Sequence, residues 1–239
     1  MRLRHVTLAT AEPAALHQFY AETLGLAVSD TAEGFVVAIG AAALEFRPAT
    51  TETDPTYHVA FTVPGGCIDA AADWLGARAD LLTDGGQTQV RYDYLDAAAV
   101  YAADPAGNVL ELLARDERAG PADQFGPDSL LDIAEIGIVV DDVPTVAGEL
   151  TELFDLESTP QAAFAYLGGA DGAFVLAAPG RRWFPTEQPA VPAPVTVVAT
   201  GGTGAVSFDD GRVAVVGIDG GGSLPSATGT TSGSGDGEG

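Results

Sequence analysis

Residues 101–115 read YAADPAGNVLELLAR, and the reading of the fold starts there. DPAGN is turn chemistry: Pro105 fixes φ, Asp104 and Asn108 can bond locally, and Gly107 tolerates a left-handed backbone. Apolar residues flank it on both sides, so the stretch predicts a β-hairpin. On its second strand Glu111 stands between Leu110 and Leu112. Side chains alternate across a strand, so both leucines face away from the glutamate. An isolated carboxylate in so apolar a strand is costly to bury, and metal coordination removes that cost.

Upstream, YHVAFTVP (57–64) predicts a strand. CIDAAADWLGAR (67–78) predicts an amphipathic helix with Ile68, Ala71, Ala72 and Leu75 on one face. A polar segment, 80–96, leads into the hairpin. The same order precedes it: LRHVTLAT (3–10) as a strand, then EPAALHQFYAETLGL (12–26) as a helix. Two strands follow, GFVVAIG (34–40) and AALEFRPA (42–49). A third copy runs from LLDIAEIGIVVDD (130–142) through the helix VPTVAGELTELFDL (143–156) to AAFAYLGGADGAFVLAAP (162–179). A fourth lacks a helix and keeps only VTVVAT, GAVSF and RVAVVGI. Repetition of one supersecondary unit is the dominant signal.

The fold class read from this is α+β: tandem βαβββ modules forming a half-open, curved mixed sheet. The expected domains are residues 1–115 as two paired modules, 116–129 as a linker, and 130–218 as a third module with a degenerate fourth. A Gly/Ser/Thr tail, 219–239, is expected to be disordered. Residues 179–194 form a Pro-rich connection containing GRRWFP, read as a loop anchored by Trp183, with reach over the cavity or a subunit contact as alternatives. Tyr92, Tyr94 and Tyr101 are candidate pocket-lining residues.

The repeats single out four residues. His5 and His58 sit at matching places in the first strands of modules one and two. Glu45 and Glu111 sit at matching places in the last strands, each flanked by apolar residues. Ligand types at equivalent repeat positions point to a metal centre. The third histidine, His17, lies mid-helix and reads as a surface residue. The place matching His5 in module three falls near Glu135 to Gly137 and holds no histidine. The second half is therefore expected to cover or extend the sheet rather than repeat the site. Arg47, two residues from Glu45 on the same strand face, is a candidate partner for a substrate carboxylate.

These motifs, RHVTLAT, FYAETLGL, YHVAFTV and above all YAADPAGNVLELLAR, resemble the vicinal oxygen chelate superfamily, which includes glyoxalase I, extradiol dioxygenases and antibiotic-resistance binders. The likeness is clear over residues 2–115 and weaker to about 178. It implies a glyoxalase-like fold with metal ligands at His5, Glu45, His58 and Glu111. Two imidazoles and two carboxylates suit one Zn, Ni, Co, Mn or Fe ion. It also implies chelation of two adjacent substrate oxygens. The expected activity is that of a glyoxalase-like lyase or isomerase working through an enediolate-type intermediate, with Glu45 or Glu111 as the catalytic base. One alternative is an Fe(II) extradiol dioxygenase using His5, His58 and Glu111. Another is a non-enzymatic small-molecule binder.

Composition bounds the partners. The 239 residues carry 10 basic and 34 acidic side chains, a net charge of −24, and every basic residue is arginine. So acidic a chain is a poor partner for nucleic acid or anionic membrane. With 46% hydrophobic residues it is nonetheless a folded protein with a core. An acidic, lysine-free surface points to a salt-rich cytoplasm, where repulsion is screened within about 3 Å at 1 M salt. One cysteine, Cys67, excludes an intramolecular disulfide. No apolar run reaches the roughly 18 residues of a membrane span, and MRLRHVTLAT lacks a signal-peptide pattern. The expected partner is a small-molecule substrate, with closure of the cup within one chain or across a homodimer left open.

Overall fold

A computed structural model describes residues 1–50, 54–118, 125–158 and 160–220. Module one contains β1 (Arg2–Thr10), α1 (Pro13–Gln18), β2 (Val28–Asp30), β3 (Phe35–Ile39) and β4 (Ala42–Pro48). Module two contains β5 (His58–Val63), α2 (Ile68–Gly76), β6 (Gln89–Tyr92), β7 (Ala97–Ala103) and β8 (Val109–Arg115). Module three contains β9 (Asp132–Val139), α3 (Val143–Phe154), β10 (Phe164–Gly169) and β11 (Gly172–Ala177). The last strands are β12 (Val195–Thr200), β13 (Gly204–Phe208) and β14 (Val213–Ile218). The tail beyond 220 and the middle of the expected linker, residues 119–124, lie outside the described residues. No helix among the described residues is long and apolar enough to cross a membrane.

The strands form one open mixed sheet whose main path runs β13-β14-β12-β1-β9-β5-β8-β7-β6. The order corrects the expected pairing of modules one and two within 1–115. β1 takes β4 on one edge and β12 on the other, whereas β5 takes β8 and β9. Module one therefore pairs with the fourth copy, and module two with module three. The halves join where β1 meets β9 at Leu3 and Ile133. The reason is open edges. Each module's first strand has its own last strand on one side and needs a partner on the other, and such a partner is not specified by local sequence.

Alternation positions the site residues. In β1, Leu3, Val6, Leu8 and Thr10 are buried, while His5, Thr7 and Ala9 face the other side. Leu3 and Val6 are three apart because the register shifts between Leu3 and His5, a bulge that re-aims the histidine. The expected helix over 12–26 is a short α-helix continued by one wide π turn at Phe19–Thr23, which buries Phe19 and Tyr20. The β3–β4 turn needs Gly40: its φ is +52°, and a Cβ there would lie 2.1 Å from the Leu131 carbonyl oxygen.

DPAGN serves the fold rather than the chemistry. The Asp104 carboxylate accepts from the Ala106 and Asn108 amides, the Asn108 side chain and the Tyr20 hydroxyl. Burial nonetheless pushes its pKa up, from 3.8 to about 6, against the pull of those bonds. A group with a raised native pKa stabilises the fold at acid pH, and that contribution is lost as pH rises through the native value. The displacement is equivalent to about 3 kcal/mol. Between about pH 4 and pH 7 the stability difference between wild type and Asp104→Asn should therefore shift against wild type by up to that amount. Urea melts at both pH values check it, and a pH-independent difference would contradict the assignment.

Candidate functional site

The functional row is set by sheet register. In the second half Ala60 of β5 lies opposite Glu111 on β8 and opposite Glu135 on β9. Neighbouring strands lie about 4.8 Å apart, so the two carboxylates flank a methyl group on one face. His58, two residues before Ala60, shares that face. His58 Nε2 lies 2.8 Å from Glu111 Oε2. One ligand atom from each of His58, Glu111 and Glu135 falls within 4.8 Å of the other two, and all three residues are buried.

The first half has the same row with different residues. Thr7 of β1 lies opposite Glu45 on β4 and Thr196 on β12. His5 Nε2 is 2.8 Å from Glu45 Oε2, which also accepts from Thr7 Oγ1. Arg47 Nε donates to Glu45 Oε1 at 2.8 Å, and the guanidinium also pairs with Glu33. Where the second half has Glu135, the first half has Thr196.

The four expected ligands are therefore brought together two by two: His5 with Glu45, and His58 with Glu111. β9 and its partners stand between the pairs, so one ion cannot be shared by all four. Module three, expected to cover or extend the sheet rather than repeat the site, also places Glu135 beside His58 and Glu111. Arg47 sits with Glu45, away from the His58 cluster. Glu135 does not stand out in the sequence, because the place matching His5 in module three holds no histidine. The usable signal was an acid between Ala134 and Ile136, as apolar a setting as that of Glu111.

A cavity of about 260 Å³ opens over the His58 cluster. Its wall is largely aromatic, with Tyr92, Tyr101, Tyr166 and Phe164 from the sheet and Trp183 and Phe184 from the 178–194 connection. The connection thus crosses the cup. Trp183 is 2% exposed, and its ring centroid lies 5.9 Å from that of His58. Gly137 makes this approach feasible, since a Cβ there would fall 2.7 Å from the Trp183 ring and 3.0 Å from His58 Cβ.

The electrostatics are those of charges crowded in a dry site. Burial opposes the His58 imidazolium, but Glu111 and then Glu135 outweigh it and hold its pKa above the ordinary value. Burial, followed by the charge of Glu111, pushes the Glu135 carboxyl up, against His58, Arg115 and Tyr166. Tyr101 is raised by burial and by Glu111, so its phenol stays protonated. In the first half burial raises Glu45, but Arg47 and His5 more than offset it and hold the carboxylate below its usual range.

The second-half donors fit a divalent cation. One imidazole and two carboxylates converge, and a positive charge there would relieve the repulsion between Glu111 and Glu135 that Arg115, paired with Glu135, leaves in place. Arg115 and the Tyr166 hydroxyl both bond Glu135 Oε1, which leaves Oε2 for a ligand. The position matching Glu45 and Glu111 in module three is Val175 on β11, opposite Gly137 on β9. It supplies no donor, so a bound metal would keep open positions.

This strand order and this donor-lined cavity define a tandem βαβββ protein of glyoxalase-like fold. Residues 5–113 match the family model of the glyoxalase-like domain. Its structure is similar to that of a proposed dioxygenase from Bacillus subtilis subsp. subtilis, at 15% identity and a TM-score of 0.58, covering 91% of this chain and 85% of that one. It is also similar to a glyoxalase I mutant from Zea mays, at 13% identity and a TM-score of 0.50, covering 82% of this chain and 75% of that one. At such identities the likeness concerns the fold alone. Among curated proteins no sequence matches the chain.

Proposed function

We propose that the second-half cavity is the active site of a divalent-metal-dependent lyase or isomerase that moves a proton between adjacent carbons of a small substrate carrying two neighbouring oxygens. The observation that carries this reading is the buried convergence of His58, Glu111 and Glu135 at the cavity base. These three would hold the metal, which when bound supplies Lewis-acid stabilisation of charge developing on the substrate oxygens. A carboxylate of the cluster is the group positioned to take a proton from carbon and return it one carbon away. Arg115 and Tyr166 fix Glu135 while that happens, and Trp183 keeps bulk water off the imidazole.

The separation of His5 from His58 counts against the dioxygenase alternative, which required both on one iron. The buried convergence of three donors counts against a non-enzymatic binder. Elemental analysis of purified protein should find about one divalent ion per chain, and Glu135→Gln should weaken its binding at least tenfold. A panel of 2-oxoaldehyde–thiol adducts and catechols then separates the chemistries. Isomerisation without dioxygen uptake supports the proposal, and catechol cleavage with dioxygen uptake overturns it.

A further inference from the structure

The cavity mouth carries information about the substrate beyond its two oxygens. Two large hydrophobic residues are exposed among the described residues, Tyr94 at 78% and Phe184 at 40%, and both line this cavity. Exposed aromatic rings gathered at one opening mark a ligand-binding rim. Inside, Trp183 Nε1 is buried without a hydrogen-bond partner among the described residues. A volume near 260 Å³ lies below the roughly 300–1,000 Å³ of drug-sized pockets, so the ligand is about one ring in size.

One arginine lines the cavity among the described residues, Arg181. Its guanidinium carbon sits 4.3 Å over the Phe164 ring. Its one recorded hydrogen bond is to the Arg182 carbonyl, and it has no acidic partner among the described residues. Acids outnumber arginines 34 to 10 in this chain, and the neighbouring Arg182 is paired with Glu187. An arginine left unpaired in such surroundings, fixed on an aromatic face at the entrance, is available to an incoming anion.

We propose that Arg181 is a specificity-determining residue that recognises a carboxylate on an aromatic substrate, the ring stacking against the aromatic wall while its far end points toward the His58 cluster. A carboxylate is chosen over a phosphate because one unpaired guanidinium balances one charge. The orientation rests on the proposed metal site; the carboxylate recognition does not.

The test is calorimetric titration of metal-loaded protein with two matched pairs under nitrogen: 3,4-dihydroxybenzoate against 3,4-dihydroxybenzamide, and benzoate against benzamide. Each pair exchanges a charged group for a neutral one of similar shape. Wild type should bind the acid of each pair about tenfold or more tightly than the amide. Arg181→Gln should bring acid and amide within about twofold, with metal content unchanged, and Arg181→Lys should restore part of the preference. Equal binding of acid and amide by wild type, no binding of either acid at millimolar concentration, or an undiminished preference in Arg181→Gln overturns the proposal. The benzoate pair lacks the neighbouring oxygens. Its preference can therefore survive even if elemental analysis finds no metal, which would remove the metal-dependent reading and leave Arg181 its role.

Discussion

Replacing His58 with alanine is expected to abolish divalent metal binding, while replacing His5 leaves it intact. Both histidines pair with a glutamate at 2.8 Å, so pairing does not tell them apart. The difference lies across the strand, where the His58 row ends in Glu135 and the His5 row ends in Thr196. Removing one of three donors should weaken binding by more than the roughly 10–100-fold typical of losing an outer-sphere partner. His58→Ala should therefore purify without metal and gain no thermal stability when Mn, Zn, Ni or Fe is added. His5→Ala should keep the wild-type metal content and the wild-type shift. Loss of metal in both variants would mean that one ion draws on both halves of the sheet, against the strand order described above.

The second large effect belongs to Trp183. The side chain is buried and belongs to an apolar cluster with Ala60, Ala99, Leu113 and Ala134, beneath a connection otherwise rich in proline and exposed residues. Trp183→Ala should cost about 3–5 kcal/mol of stability, the range for removing a buried large aromatic. It should also open the His58 imidazole to water, so metal affinity falls with stability. Gly137→Ala approaches the same contact from below. Its added Cβ meets both the Trp183 ring and His58, and a cost of about 1–3 kcal/mol follows if the connection shifts to make room. Chemical denaturation with and without metal checks both variants. A Trp183→Ala protein as stable as wild type would show that the connection is held elsewhere.

How much of this was legible in the sequence follows from the range of the interactions. The strands and helices were readable because alternation, helical spacing and turn residues act over a few positions. Glu111 and His58 were readable as a pair because the register joining β5 to β8 lies within one module. Which module faces which was not readable, because the edge partner of β1 is β12, far along the chain, and no local pattern names it. That one unread fact scattered the expected four-ligand centre. Glu135 was missed for a related reason: it becomes a site residue only once β9 lies beside β5. Trp183 was visible as an anchored side chain, but its place over His58 depends on the missing side chain at Gly137.

The strand pairing also has a consequence in time. Modules two and three are contiguous in the chain and lie between the strands that complete module one. Leu8 on β1 pairs with Val195 on β12. A ribosome adding about 5–20 residues per second needs on the order of ten to forty seconds to pass from one to the other. The half that holds His58, Glu111 and Glu135 has all its strands well before then, while β1 leaves the exit tunnel with one edge bare. Module one is thus the part of this fold that waits longest for its edge partner, and β12 is the strand that ends that exposure.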